Sequence, residues 1–161
     1  MPSPRDVADM LRERRVIYRR DGLTEFDFSR IEDEDKINEL AECLVKKIPQ
    51  MPNVVIGFMS DNSLLSKSIA ESVFVHAKHY FVPQDDNVKP IIERFNGSQE
   101  VNILLVKALI NDIDIDGWYG LSNVNPNIGR ISAAAIADGR FFPYENSLEV
   151  TSLIDYDHLH V

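Results

Sequence analysis

The chain has 161 residues, of which 44% are hydrophobic and 27% charged, an ordinary composition for one globular domain with a sizeable core. Its formal net charge of -9 disfavours a nucleic-acid backbone or an anionic membrane as partner, and we expect neither. The sequence has no apolar run of the ~18 residues that span a bilayer and no signal-peptide pattern, so we expect a cytoplasmic protein. The single cysteine, Cys43, lies on the apolar side of a predicted helix, which indicates a buried thiol.

Residues 1–30 are predicted to form a leader helix and a small hood. Ser3-Pro4, a cap residue followed by proline at the first helical position, predicts a helix that ends near Arg15. Asp21-Gly22 is a turn signal that predicts a hairpin within Val16–Phe28. The region also holds the basic cluster of the chain, which is either a solvated helix face or a surface for a partner or a phosphate group. The cluster consists of Arg12, Arg14, Arg15, Arg19 and Arg20.

Residues 31–161 alternate between strand and helix patterns. Asp33 or Asp35 caps an amphipathic helix over residues 34–48, and a second helix starts near Ser63. Short apolar runs predict strands at Val54–Phe58, Tyr80–Val82, Val101–Val106, Ile131–Ala137 and Leu148–Ile154. This order predicts an α/β fold: a single domain whose parallel sheet of four to five strands is flanked by helices. Pro126 limits the segment before the fourth strand to a short helix or a loop.

The segment Val101–Ile113 is predicted to be a buried strand that runs into a loop, Asn111–Gly117. Three aspartates in this loop, Asp112, Asp114 and Asp116, precede Gly117 in the D-x-D-x-D-G pattern that begins a calcium loop. The twelfth position of that loop is Asn123 where a bidentate glutamate is needed, so calcium stays an alternative to a solvated acidic loop. A terminal group of Asp155, Asp157, His158 and His160 is a weaker metal candidate.

The order of these elements resembles the orotate branch of the type I phosphoribosyltransferases over nearly the whole chain. Thr24–Arg30 is similar to the family's aromatic strand, with Phe26 and Phe28 at the aromatic places, and Ala133–Arg140 is similar to its V-A-V-I-V-D-R strand end. The family's paired acidic residues and T-T-G loop fall on Lys107-Ala108 and on Asn111–Ile113. Its glycine-rich pyrophosphate turn falls on residues 57–65, where Asp61-Asn62 replace the two glycines.

The resemblance implies the family's fold, but the residues at its anion sites have changed. Lys107 cannot accept hydrogen bonds from ribose hydroxyls, and Asp112 and Asp114 would repel a phosphate. Ile113 puts a β-branched side chain where the family brings backbone close to the phosphate. We therefore expect a phosphoribosyltransferase-like protein without transferase activity, which acts as a binding, regulatory or structural partner and has no cofactor and no catalytic residue.

The alternative is an atypical orotate-like phosphoribosyltransferase of nucleotide metabolism that uses Mg²⁺. Arg140, Phe26 and Phe28 would then face the base, and Lys107 or Arg19-Arg20 the phosphates. The resemblance implies a homodimer whether or not the chain is an active transferase. The apolar side chains of Phe58, Met59, Leu64 and Leu65 are consistent with burial against a second subunit.

Any ligand is expected at the carboxyl ends of the strands, because the topology creates a crevice there. The candidate ligand-binding residues are Phe26, Phe28, Lys107, Asn111, Asp112, Asp114 and Arg140. Since the loop after the third strand is acidic, a neutral or cationic small molecule, or a basic segment of a protein partner, suits this crevice better than a polyphosphate.

Overall fold

The computed structural model describes residues 2–58, 63–72, 74, 76–83, 88–95, 100–141 and 148–160. The helices are α1 (Pro4–Glu13), α2 (Glu34–Val45), α3 (Ser63–Ser72), α4 (Val88–Glu93), α5 (Asp112–Trp118) and α6 (Tyr156–Leu159). The strands are β1 (Ile17–Arg20), β2 (Leu23–Phe26), β3 (Val54–Phe58), β4 (Lys78–Val82), β5 (Val101–Val106), β6 (Leu109–Ile110), β7 (Ile128–Asp138) and β8 (Glu149–Ile154). Among the helices in these ranges, none has the length and apolarity needed to cross a bilayer.

Helix α1 begins and ends with well-formed caps. The Ser3 side chain accepts the backbone N–H of Asp6, and the Asp6 side chain accepts that of Ser3, which is a capping box. At the other end, Arg15 has φ of 58°, and its N–H donates to the Arg12 carbonyl at 3.0 Å while Val16 donates to Leu11 at 2.8 Å. These two bonds form a Schellman motif with arginine at the left-handed position that usually holds glycine.

The predicted hairpin is confirmed. Strands β1 and β2 pair antiparallel, with Ile17 opposite Phe26 and Arg20 opposite Leu23. Asp21 and Gly22 both have positive φ, 52° and 79°, as a two-residue type I′ turn requires. A short 3-10 turn, Phe28–Arg30, follows and leads the chain into the core.

The predicted α/β architecture is confirmed as a parallel six-stranded sheet. The order is β4-β3-β5-β7-β6, with β8 pairing with the other edge of β7. Strand β6 was missing from the sequence-based prediction because it has only two residues. It continues the register of β5 along β7, since Val106 lies opposite Ala134 and Leu109 opposite Ala137. Strands β5 and β6 therefore occupy one position in the sheet, between β3 and β7, and are separated only by Lys107-Ala108.

Two hydrophobic clusters cover the two faces of the sheet. Val55, Leu104 and Ile136 face a cluster built with α1, α2, α3 and α6. Their neighbours along the strands, such as Ile56 and Leu105, face a second cluster built with α4 and α5. Because successive residues of a strand point to opposite faces, continuous apolar runs are what a sheet buried on both sides needs.

The segment after β5 corrects one expectation. Asn111–Gly117 was predicted to be a loop, but Asp112–Trp118 forms helix α5. Asn111 caps this helix: its side chain accepts the N–H of Asp114 at 3.1 Å, and the Asp114 side chain accepts the N–H of Asn111 at 3.0 Å. A 3-10 turn, Leu121–Asn123, then completes the short crossover to β7.

Candidate functional site

A cleft of about 220 Å³ lies between the hood and the chain that leaves β5. It is the crevice that the sequence predicts at the carboxyl end of the sheet. Four of the seven candidate residues line it together with three others, and the full set is Phe26, Asp27, Phe28, Ser29, Lys107, Leu109 and Asn111.

Lys107, in the lining of this cleft, forms a largely buried ion pair with Asp114. Its Nζ atom lies 2.6 Å from Oδ1 of Asp114, and the two side chains are only 14% and 2% exposed. The same ammonium lies 5.8 Å from the centre of the Phe58 ring. Asp114 also accepts the Asn111 N–H, so one carboxylate holds the lysine and caps α5. The interrupted strand β5–β6 and the start of α5 are thereby tied together.

The two aromatic candidates differ in how much surface they offer. Their rings are parallel within 6°, with centroids 6.4 Å apart. Phe28 is only 3% exposed and belongs to the core cluster, whereas Phe26 is half-buried. Of the pair, Phe26 therefore provides the stacking surface that a planar ligand could use.

Asp27 is a cleft residue that sequence reasoning missed. Its side chain accepts the Ser29 N–H at 3.2 Å and lies 3.3 Å from Nε of Arg30. The hydrogen bond from the Ser29 hydroxyl lowers the pKa of the Asp27 carboxyl below its ordinary value, so Asp27 is charged at neutral pH. The D-x-S spacing, a known side-chain-to-backbone turn, could have identified it.

Three candidates lie outside the set that lines the cleft: Asp114, which pairs with Lys107, and also Arg140 and Asp112. Arg140 is buried against Asp138, to which Nε and Nη2 donate at 2.9 and 2.8 Å. Asp112 accepts the backbone N–H of Phe141 at 2.9 Å and so ties the start of α5 to the end of β7. Both side chains take part in local structural contacts at the carboxyl end of β7.

The calcium alternative is not supported by the geometry. Asp112, Asp114 and Asp116 lie on α5 rather than on a metal-binding loop, and Asp114 is paired with Lys107. Asp155, in the terminal candidate group, caps α6 and lies 2.7 Å from Nδ1 of His158. Within the described ranges, no group of three or more histidine, cysteine, aspartate or glutamate side chains could hold a metal ion.

Part of the segment that resembles the family's pyrophosphate turn lies outside the described residues, including Met59, Asp61 and Asn62. Phe58 and Leu65, which the sequence suggested for a subunit interface, are 2% and 1% exposed and pack inside the subunit. Their apolar character is explained by the core of one chain, so it does not indicate a second subunit.

Several solved structures are similar to this chain. Orotate phosphoribosyltransferase from Aeropyrum pernix superposes with a TM-score of 0.61 at 13% identity, over 95% of each chain. The Mycobacterium tuberculosis orotate phosphoribosyltransferase in complex with Fe(III) dicitrate gives 0.64 at 12% identity, over 99% of this chain and 100% of the other. Adenine phosphoribosyltransferase from Leishmania donovani gives 0.60 at 14% identity, over 94% and 80%.

Neither a protein-family model nor a curated protein matches the sequence. At 12–14% identity the likeness concerns the backbone alone. The parallel sheet, the helices on both faces and the N-terminal hood all take part in it, since the superpositions cover nearly the whole chain. The chain therefore has the type I phosphoribosyltransferase fold.

Proposed function

We propose that this chain is a phosphoribosyltransferase-like protein without transferase activity, which acts as a binding, regulatory or structural partner. The observation that carries the proposal is the Lys107–Asp114 ion pair at 2.6 Å. Lys107 stands where the resemblance implies an acidic residue for ribose hydroxyls. Its charge is neutralised within the chain, and an ammonium has no lone pair to accept from a hydroxyl.

The capping of α5 supports the same proposal. In the family, a glycine-rich loop offers backbone N–H groups to a phosphate. Here the N–H groups of Asn111 and Asp114 are occupied by each other's side chains. A phosphate at this position would have to displace these bonds and approach the buried carboxylate of Asp114, where like charges repel strongly.

The charge of the cleft favours a different class of ligand. Lys107 is paired with Asp114, and the carboxylate in the lining is that of Asp27, which is 40% exposed where it meets Arg30 and lies beside the half-buried ring of Phe26. A neutral or cationic small molecule, or a basic segment of a partner protein, is complementary to these groups. We propose this class of ligand for the cleft.

Calorimetry with phosphoribosyl pyrophosphate and Mg²⁺ tests the proposal. We expect a dissociation constant weaker than roughly 100 μM, or about 5.5 kcal/mol of binding free energy. An assay of pyrophosphate release with orotate as acceptor should give no turnover above the rate without protein. Tighter donor binding that Lys107→Gln weakens would show that Lys107 contacts a phosphate, and would support the atypical transferase instead.

We also propose a homodimer in the cytoplasm. The dimer rests on the family resemblance, and the cytoplasmic location is consistent with the lone, buried Cys43. Sedimentation velocity at micromolar concentration tests the assembly, and a single species of about 18.4 kDa would show a monomer.

A further inference from the structure

The arginines of this acidic chain are concentrated at its start. Of the ten arginines, seven lie within residues 1–30, and these are Arg5, Arg12, Arg14, Arg15, Arg19, Arg20 and Arg30. A second cleft, of about 550 Å³, opens between α1, the β1–β2 hairpin and α6. We call it the arginine cleft, and its polar lining is Arg12, Arg15, Tyr18, Arg19, Thr24 and Arg30. It shares no lining residue with the cleft at the carboxyl end of the sheet.

Two of these arginines are held in place by the fold. The guanidinium of Arg30 lies 4.2 Å from the centre of the Tyr18 ring and donates to the Arg15 carbonyl at 3.0 Å. Arg12 donates to the His158 carbonyl on α6 and lies 3.4 Å from Asp9. Side chains fixed before binding lose less entropy when a ligand arrives, so these two provide a preorganised wall.

The other two arginines of the lining, Arg15 and Arg19, are exposed. Neither makes an ion pair with any residue in the described part of the chain. Arg15 also occupies the left-handed position of the Schellman motif, where glycine fits without conformational cost. Arg15 therefore lines the cleft from a backbone position that does not favour arginine.

The charges around the arginine cleft do not cancel. Within the described part of the chain, the carboxylates that pair with the arginines of the lining are Asp9, beside Arg12, and Asp27, beside Arg30. Glu25 lies opposite Tyr18 in the hairpin but does not line the cleft. Four guanidinium groups against two paired carboxylates leave an excess of two positive charges, which matches the charge of a phosphate monoester dianion.

We infer that the arginine cleft binds a phosphorylated small molecule. The planar guanidinium donates two parallel hydrogen bonds to phosphate oxygens, and such charge-assisted bonds are among the stronger ones in proteins. The volume of the arginine cleft, about 550 Å³, lies within the range of about 300–1,000 Å³ that is common for small-molecule sites. The Thr24 hydroxyl, opposite Arg19 across the hairpin, adds a neutral donor to the same wall.

The experiment uses the full chain with inorganic pyrophosphate and glycerol 3-phosphate, without Mg²⁺, in calorimetry and thermal melting. Each compound should raise the melting temperature because a ligand that binds only the folded state stabilises it. In the double variant Arg15→Gln/Arg19→Gln, affinity should fall at least about tenfold, as expected for the loss of charge-assisted hydrogen bonds. The Arg15 carbonyl that accepts from Arg30 is retained in this variant.

A matched control is available in the same segment. Arg14→Gln/Arg20→Gln removes the same charge from exposed positions that do not line the cleft, so affinity should stay within about twofold. Equal loss in both double variants would mean diffuse attraction and would overturn the inference. So would the absence of any response at about 10 mM ligand, a concentration that detects very weak binding. Binding of a polyglutamate peptide but of neither phosphate compound would also overturn it, because that result assigns the surface to a protein.

The two clefts are distinguished by their own variants. If phosphoribosyl pyrophosphate gives heat that Arg15→Gln/Arg19→Gln abolishes and Lys107→Gln does not, the binding belongs to the arginine cleft and the proposed lack of transferase activity stands. If Arg15→Gln/Arg19→Gln fails to fold, the single variants Arg19→Gln and Arg20→Gln replace the two double variants. Affinity for the phosphate compounds should then fall in Arg19→Gln and not in Arg20→Gln. Equal affinity in that pair would then count against the site.

Discussion

Nζ of Lys107 lies 2.6 Å from Oδ1 of Asp114, and this pair joins the interrupted strand β5–β6 to the first turn of α5. The carboxylate is buried and holds two partners at once, the ammonium and the Asn111 N–H. A buried charge with satisfied partners is tolerated, whereas one that loses its partner is costly. The pair is therefore a structural element beside the cleft.

Lys107→Met should destabilise the chain because it leaves the Asp114 carboxylate buried without its counter-ion. We expect the free energy of unfolding, measured by urea denaturation at pH 7, to fall by about 3 kcal/mol. The double variant Lys107→Met/Asp114→Asn should recover at least half of this loss, since asparagine is neutral and still accepts from Asn111. The exposed Lys46→Met is the control and should change stability by no more than about 0.5 kcal/mol. Equal effects of Lys107→Met and Lys46→Met would contradict a structural role for the pair.

Helix α3 approaches β3 closely at Gly57. A Cβ at Gly57 would overlap with Oγ and Cβ of the buried Ser66, so Gly57→Ala must push the helix away from the sheet. We expect a loss of about 1–3 kcal/mol in the free energy of unfolding. Adding Ser66→Gly removes both overlapping atoms and should restore part of the loss.

Gly117 provides the matched control for that substitution. It lies in α5, and a Cβ there would meet nothing within 4 Å. Gly117→Ala should therefore stabilise the chain by up to about 1 kcal/mol, because alanine is the better helix former. If both glycine variants lost stability equally, the close approach at Gly57 would not be the cause.

Local patterns explain which elements the sequence predicts well. Strands β3 and β5 have the predicted bounds, Val54–Phe58 and Val101–Val106, because a continuous apolar run depends little on distant contacts. The Asp21-Gly22 turn follows from the positive φ that its two residues tolerate. The Ser3-Pro4 cap likewise depends on groups within one helical turn.

The site was harder to predict because its contacts join different elements. The Lys107–Asp114 pair requires that the chain turn back after β6, which no local pattern indicates. Helix α5 is not predicted by its sequence pattern, because aspartate and isoleucine alternate with a period of two in Asp112–Asp116, whereas an amphipathic helix has a period of about 3.6 residues. A signal was present: Asn111 followed three residues later by Asp114 has the spacing of a capping box. Arg140 was expected in the crevice, but its direction is set by the adjacent Asp138.

Arg15→Gly should stabilise the chain, since glycine adopts the left-handed conformation of this helix end without steric cost. The expected gain in the free energy of unfolding is about 0.5–1 kcal/mol, from about 1–2 kcal/mol of relieved strain less the greater flexibility of glycine when unfolded. Arg14→Gly is the control: the residue has φ of -86° and ψ of 2°, so glycine relieves nothing there and should cost up to about 1 kcal/mol. Changes of the same sign in the two variants, seen by thermal melting, would refute the strain at Arg15.

His79 should make the stability of the chain depend on pH. Burial of its ring lowers its pKa below the ordinary value, and Nε2 is buried without a hydrogen-bond partner among the described residues. Since the folded state resists protonation more than the unfolded chain does, the unfolded chain binds more protons as the pH falls below about 6.5, the ordinary histidine pKa. The stability that the neutral ring contributes is therefore present above that pH and is lost as the pH falls toward the lowered folded pKa.

Urea denaturation at intervals from about pH 7.5 to about pH 5.5, around the ordinary histidine pKa, measures this effect. His79→Gln cannot be protonated in this range, so its unfolding free energy should fall less than that of the unsubstituted chain between the two pH values. His76→Gln is the matched control, because His76 is exposed and its replacement removes a histidine without removing the buried ring. If the slope were the same in all three proteins, the pH dependence would come from carboxylates, and His79 would titrate alike in the folded and unfolded states.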